Sequence, residues 1–165
     1  MKRWLLVLVL LIFMVGEWVP MFDEARATRA IRFFENLKHT KGQFYGQPFT
    51  LLDWERQIVR DVYGTVNAQG LRQFKFPYIE IPKKNGKSEL AAGAGLYHTF
   101  ADGEMNGEVY GCAADRSQAS IVFDVAVDMI DQVPALKKRC KLTLSKKRIT
   151  DKVSGTFYQV LSAEA

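Results

Sequence analysis

The residues whose types and order could do chemistry stand together at Lys83-Lys84-Asn85-Gly86-Lys87-Ser88. A loop that holds a polyphosphate needs backbone N–H groups converging on the anion and a glycine that lets the main chain come close. It also needs a lysine that reaches the terminal phosphates and a hydroxyl that ligates Mg²⁺. Gly86, Lys87 and Ser88 supply the last three in that order, but Ile81 stands where the first glycine of the full G-x-x-x-x-G-K-[ST] pattern would be. Gly-Lys-Ser also occurs in ordinary solvated turns, and Lys83 to Lys87 fits that description too.

The other candidates are weaker. His39 and His98 have no catalytic neighbours in sequence and read as structural or exposed. Asp124, Asp128 and Asp131 are spaced like the solvated face of a helix rather than a metal cluster. Cys112 and Cys140 can build neither a disulfide framework nor a four-ligand zinc site, so they read as reduced thiols, Cys112 as a small buried hydrophobe. The basic run Lys137, Lys138, Arg139, Lys141, Lys146, Lys147, Arg148 is a solvated surface or a DNA contact. Arg116 is a further basic residue for a nucleotide or a neighbouring subunit.

The elements that must position the loop follow from periodicity. Ala27, Ala30, Ile31, Phe34 and Leu37 recur at helical spacing over residues 25–38, with an acidic pair at the start. Residues 49–63 predict a second helix with Leu52, Ile58, Val59 and Val62 inward, stopped by Gly64. Residues 74–81 predict a strand before the loop, its best pairing segment Tyr78 to Ile81 because Pro77 is awkward in a central strand. Residues 87–100 predict a small-residue helix after the loop, with Ala91, Ala92, Ala94 and Leu96 among its residues, 107–113 a short strand, and 117–133 an amphipathic helix ended by Pro134. Residues 149–150 and 156–161 predict paired strands around 151–155. That order argues an α/β sheet.

The 165 residues are 48% hydrophobic and 25% charged, which excludes a wholly disordered chain, a collagen-like repeat and a multi-span membrane protein. A net charge of +5 favours an anionic partner without naming one. Trp4 to Val15 is nearly unbroken apolar sequence behind Lys2 and Arg3. The run is too short for a membrane span of ~20 residues and resembles a signal peptide, yet the small-residue cleavage site is missing. We expect residues 1–21 to be an apolar extension, either a mis-assigned start ahead of Met21 or a signal-like segment, with export or membrane association as the alternative.

Taken with these neighbours, the loop resembles that of the large terminase subunit of tailed double-stranded DNA phages, a family with a shortened R/K-x-x-G-K-[ST] phosphate loop, here Lys83 to Ser88. Phe49 to Gly64 resembles the family's adenine-site segment, Cys112 to Ala119 its strand end leading into a helix, and Phe157 to Ala165 the strand that approaches its second ATPase motif. The resemblance implies a P-loop NTPase fold, a mostly parallel sheet flanked by helices and incomplete here, with residues 22–165 as the N-terminal part of the ATPase domain. It implies ATP and Mg²⁺ as cofactors. Lys87 would contact the β- and γ-phosphates, Ser88 would ligate Mg²⁺, and Lys83, Lys84, Asn85 and Gly86 would complete the cradle. Trp54 would lie against adenine.

Two departures matter. Lys83 replaces a frequent arginine and loses its planar fork. Glu55 stands where the family has glutamine, so Gln57 or backbone would have to serve. The carboxylate pair that activates water, and the nuclease domain, have no counterpart after residue 88, so the resemblance implies a piece with little ATPase activity of its own. The implied partners are double-stranded DNA, a portal protein and a small terminase subunit, with a homo-oligomeric ring in the host cytoplasm. Competing readings are another P-loop ATPase of helicase type, and a secreted or anchored binding protein with an accidental Gly-Lys-Ser turn.

Overall fold

The computed structural model describes residues 20–113 and 116–162. The apolar Trp4 to Val15 run, Asp115 and the last three residues lie outside them. The chain forms two compact units, one from residues up to Ile31 together with Leu52–Ile79, the other from Arg32–Leu51 together with Glu80 onward.

The first unit contains β1 (Met21–Phe22) paired antiparallel with β2 (Thr65–Val66), and α2 (Asp53–Gly64). Helix α1 (Glu24–Asn36) begins in this unit. The Asp23 side chain accepts the Arg26 N–H at 3.0 Å and so caps α1. Arg60 grips Glu24 through two bonds of 2.6 and 2.7 Å and lies over the Phe22 ring. A methyl group on Gly64 would stand 2.7 Å from the Phe22 ring and 2.8 Å from the Ala27 methyl, so only glycine lets α2 end there.

The second unit holds α3 (Lys87–Phe100), β3 (Glu108–Ala113), α4 (Arg116–Gln132), α5 (Pro134–Arg139), β4 (Cys140–Thr143), β5 (Arg148–Asp151) and β6 (Phe157–Ser162). The sheet runs β3-β6-β5-β4. β3 and β6 are parallel, from Glu108↔Phe157 to Ala113↔Ser162, while β5 pairs antiparallel with both β6 and β4. Strand alternation sends Ile149, Tyr158 and Val160 to one face, where they are buried with Leu96 of α3 and Phe123 and Met129 of α4. The opposite face shows Glu108, Tyr110, Cys112 and Leu161 to solvent.

The helices expected from periodicity form, and the α/β class holds. Ala27, Ala30, Ile31, Phe34 and Leu37 are all buried, and Asp124, Asp128 and Asp131 are exposed. The hairpin around residues 151–155 also forms. Three expectations change. Residues 74–81 make no strand. A strand exists only where a neighbour completes its hydrogen bonds, and no described residue pairs with this stretch, which leaves Phe76 and Tyr78 exposed. The second helix begins at Asp53, leaving Leu52 exposed while Phe49 and Leu51 are buried ahead of it. Pro134 ends α4 as expected, and it also opens α5, where its missing N–H costs no helical bond. Cys112 is exposed, because it shares the outer face of the sheet with Tyr110.

Candidate functional site

The phosphate-loop candidate is part of the second unit and leads directly into α3. Lys83 and Lys84 turn the chain, and Lys84 and Gly86 both have φ of +68°. That left-handed conformation costs glycine little but strains lysine. Gly86 is the residue before the first helical turn, with φ +68° and ψ 8°, and its carbonyl accepts the Leu90 N–H at 3.0 Å. The N–H groups of the turn before Leu90 have no helical partner by construction, so they and the positive end of the helix dipole make an anion-binding concavity. Lys83, Lys84 and Lys87 are exposed, and none of them is ion-paired among the described residues. Ser88 is half-buried on the first turn.

The helix carrying this loop is held by close packing. A methyl group at Gly93 would lie 2.7 Å from the Phe34 ring, and one at Gly95 would lie 3.5 Å from the Tyr158 ring, an ordinary contact. Tyr158 is buried, which pushes its hydroxyl up to about 12 and keeps it neutral; Cys112 nearby adds to the effect. An apolar crevice of about 300 Å³ runs beside α3 between β3 and α4, lined by Ala91, Ala94, Gly95, Gly111 and Ala119 among others. Among the described residues no lysine or arginine lines it. None of residues 83–88 lines it, so it is separate from the exposed loop at the helix start.

The remaining sequence-derived site residues divide by unit. Trp54 and Gln57 are on α2 of the first unit, both solvent-exposed. The Gln57 amide donates to Asp61 at 2.8 Å. Glu55 is buried, and its carboxylate accepts the Leu52 N–H at 2.9 Å. Its position next to Trp54 therefore serves the start of α2, a use that a helix-capping pattern at residues 52–55 explains.

Sequence reasoning missed Glu89, one residue beyond Ser88. Its carboxylate accepts the Thr40 N–H at 2.9 Å and the Thr40 hydroxyl at 3.2 Å, and faces His39 Nδ1 at 2.9 Å. These partners are 49 and 50 positions away, so no local pattern announces them.

Among the described residues no group of three or more His, Cys, Asp or Glu could hold a metal ion. Ser88 is then the candidate protein ligand, a fit only for a cation that keeps most of its water and takes further oxygens from a bound phosphate, as Mg²⁺ does. No helix of the described residues is long and apolar enough to cross a membrane.

An α/β unit with a lysine-rich glycine loop at the start of a helix defines a protein of the phosphate-loop nucleotide-binding class. Comparison with known proteins narrows the class. Residues 53–165 match the family model described as terminase large subunit, ATPase domain. The large terminase subunit of Enterobacteria phage HK97 is 32% identical over 141 residues, covering 84% of this chain and 27% of that protein. The crystal structure of the HK97 bacteriophage large terminase superposes with a TM-score of 0.73 at 29% identity, over 88% of this chain and 28% of that one. The chain belongs to the terminase large subunit ATPase domain family, and spans about a quarter of the length of the HK97 protein.

Proposed function

We propose that this chain is the ATP-binding part of a viral DNA-packaging motor. In this reading the amides of Asn85 to Ser88 cradle the phosphates of ATP, Lys87 bridges the β- and γ-phosphates, and Lys83 and Lys84 add positive charge at the rim. Ser88 would ligate the Mg²⁺ that accompanies the nucleotide, an ion whose chemistry would be to offset the negative charge of the phosphates. The family resemblance assigns Trp54 to the base, with Gln57 as the neighbouring amide. The longer protein hydrolyses ATP to drive double-stranded DNA into a procapsid. It works as a ring on a portal protein, with a small terminase subunit, in the host cytoplasm.

One observation carries the reading. In a chain of this family, the Lys83–Ser88 loop enters α3 through a left-handed glycine, with three lysines beside it that make no ion pair among the described residues. The test is ATP titration of the wild type and Lys87→Ala in the presence of Mg²⁺. A charge-assisted bond to phosphate contributes about 1.5–3 kcal/mol, so the variant is expected to bind about ten- to hundredfold more weakly. Equal affinities would sink the assignment.

A further inference from the structure

Glu89 occupies the first turn of α3, and its side chain reaches the chain that follows α1 at His39 and Thr40. There it meets a closed loop. Lys38 bridges to Pro48, the Phe49 N–H donates to the Leu37 carbonyl at 2.9 Å, and the Gly46 N–H donates to the His39 carbonyl at 3.0 Å. A short 3-10 turn, Gly42–Phe44, forms its tip. His39 is wedged edge-on against Phe49, with ring centroids 5.0 Å apart, and also contacts Phe44. Gln132, the last residue of α4, donates to the His39 carbonyl at 3.3 Å. This loop is braced at its base, and Glu89 ties that base to the nucleotide-binding turn.

The tie has direction and strength. The Glu89 side chain is 18% exposed and that of His39 22%, and Thr40 is buried. A carboxylate only accepts, so the three contacts fix three donors: the Thr40 amide, the Thr40 hydroxyl and Nδ1–H of His39. Hydrogen bonds to a charged group in a partly buried place are stronger than neutral ones. Lys87 and Ser88 immediately precede Glu89, so anything that fixes the Glu89 backbone also fixes the direction of their N–H groups.

We propose that Glu89 is a positioning residue, clamping the 37–49 loop to the first turn of α3 and so preorganising the phosphate-binding amides. It touches no phosphate itself. The inference rests on the Lys83–Ser88 loop being the ATP site, and it assigns the 37–49 loop a part in ATP affinity that the loop's own sequence does not suggest.

The experiment measures Mg²⁺-ATP affinity and thermal midpoint together, on the whole chain, for the wild type, Lys87→Ala, Glu89→Ala and Glu89→Gln. Glu89→Ala is expected to bind ATP about tenfold more weakly per folded molecule. Glu89→Gln keeps an oxygen for the Thr40 amide, and is expected to recover to within about threefold of the wild type. A purely structural role would lower the midpoint and leave affinity per folded molecule unchanged, so wild-type affinity in Glu89→Ala overturns the proposal. If Glu89→Ala does not fold, the double variant His39→Ala/Thr40→Val leaves Glu89 in place and removes two of its partners. Several-fold weaker binding is then expected, and wild-type binding overturns the clamp. Weak binding by Lys87→Ala with wild-type binding by Glu89→Ala defeats the clamp alone. Wild-type binding by Lys87→Ala defeats the ATP site and the clamp with it.

Discussion

The two cysteines show how position on a strand sets the behaviour of a side chain. Cys112 lies on the open face of the sheet, and Cys140 at the start of β4 is half-buried. Burial pushes the Cys140 thiol up, only partly countered by Lys152, and nearby Asp131 and Asp151 push it the same way. Because the thiolate is the reactive form, iodoacetamide at neutral pH is expected to label Cys112 well before Cys140. Mass spectrometry of the labelled peptides reads the order, and equal rates would contradict it. Ser88 makes a second residue-scale prediction. Ser88→Ala is expected to bind ATP without metal about as well as the wild type, but to gain less from added Mg²⁺, measured by titrating with and without EDTA. The chemistry-bearing residues Lys87 and Ser88 were legible because glycine, lysine and hydroxyl come in one tripeptide. Glu89 was not, because its meaning depends on residues 49 and 50 positions away.

At the scale of elements, α3 is governed by two opposed effects at Gly93. Alanine is a better helix former than glycine by about 1 kcal/mol. A methyl group there would approach the buried Phe34 ring to 2.7 Å, and overpacking costs about 1–3 kcal/mol. Gly93→Ala is therefore expected to lower stability by about 1 kcal/mol, checked by chemical denaturation; a stabilised variant would mean that Phe34 yields easily. Helices were legible here because apolar residues at 3.6-residue spacing need only their own neighbours. Strands depend on partners. Residues 74–81 have β-forming composition but no described partner, whereas Cys140-Lys141-Leu142-Thr143 pairs with β5 from within a basic run that conceals its alternation. α5, six residues long behind a proline, is too short for periodicity to mark.

For the molecule as a whole, acid should find its weak points at two ion pairs. Asp151 has no side-chain exposure and receives Arg139 at 2.6 and 3.1 Å and the Ser154 hydroxyl at 2.8 Å. Burial raises its pKa, but the bonds from Arg139, Ser154 and Val153 outweigh that and hold it below the ordinary value. Glu24 is held low chiefly by its hydrogen bonds from Arg60. A carboxyl whose folded pKa is depressed gives stability that is present above its unfolded value, about 3.9 for Asp. That stability is lost as pH falls through the folded value. The thermal midpoint should therefore hold near neutrality and drop below about pH 4. Asp151→Ala, by leaving Arg139 partly buried and unpaired, should cost about 3 kcal/mol at pH 7 and flatten that acid limb. A midpoint as pH-dependent as the wild type's would contradict this. The two-unit organisation was not legible. One boundary falls inside α1, at residues 31–32, where the periodic pattern runs on without a break.

The central claim is that ATP is held by the turn that opens α3, and amide chemical shifts test it directly. Titrating the ¹⁵N-labelled chain with Mg²⁺-ATP should move the amide signals of Asn85, Gly86, Lys87, Ser88 and Glu89 first and furthest, with the Lys137–Arg148 run little changed. Shifts centred on that basic run, or no shift in the Asn85–Glu89 amides at saturating nucleotide, would contradict the account.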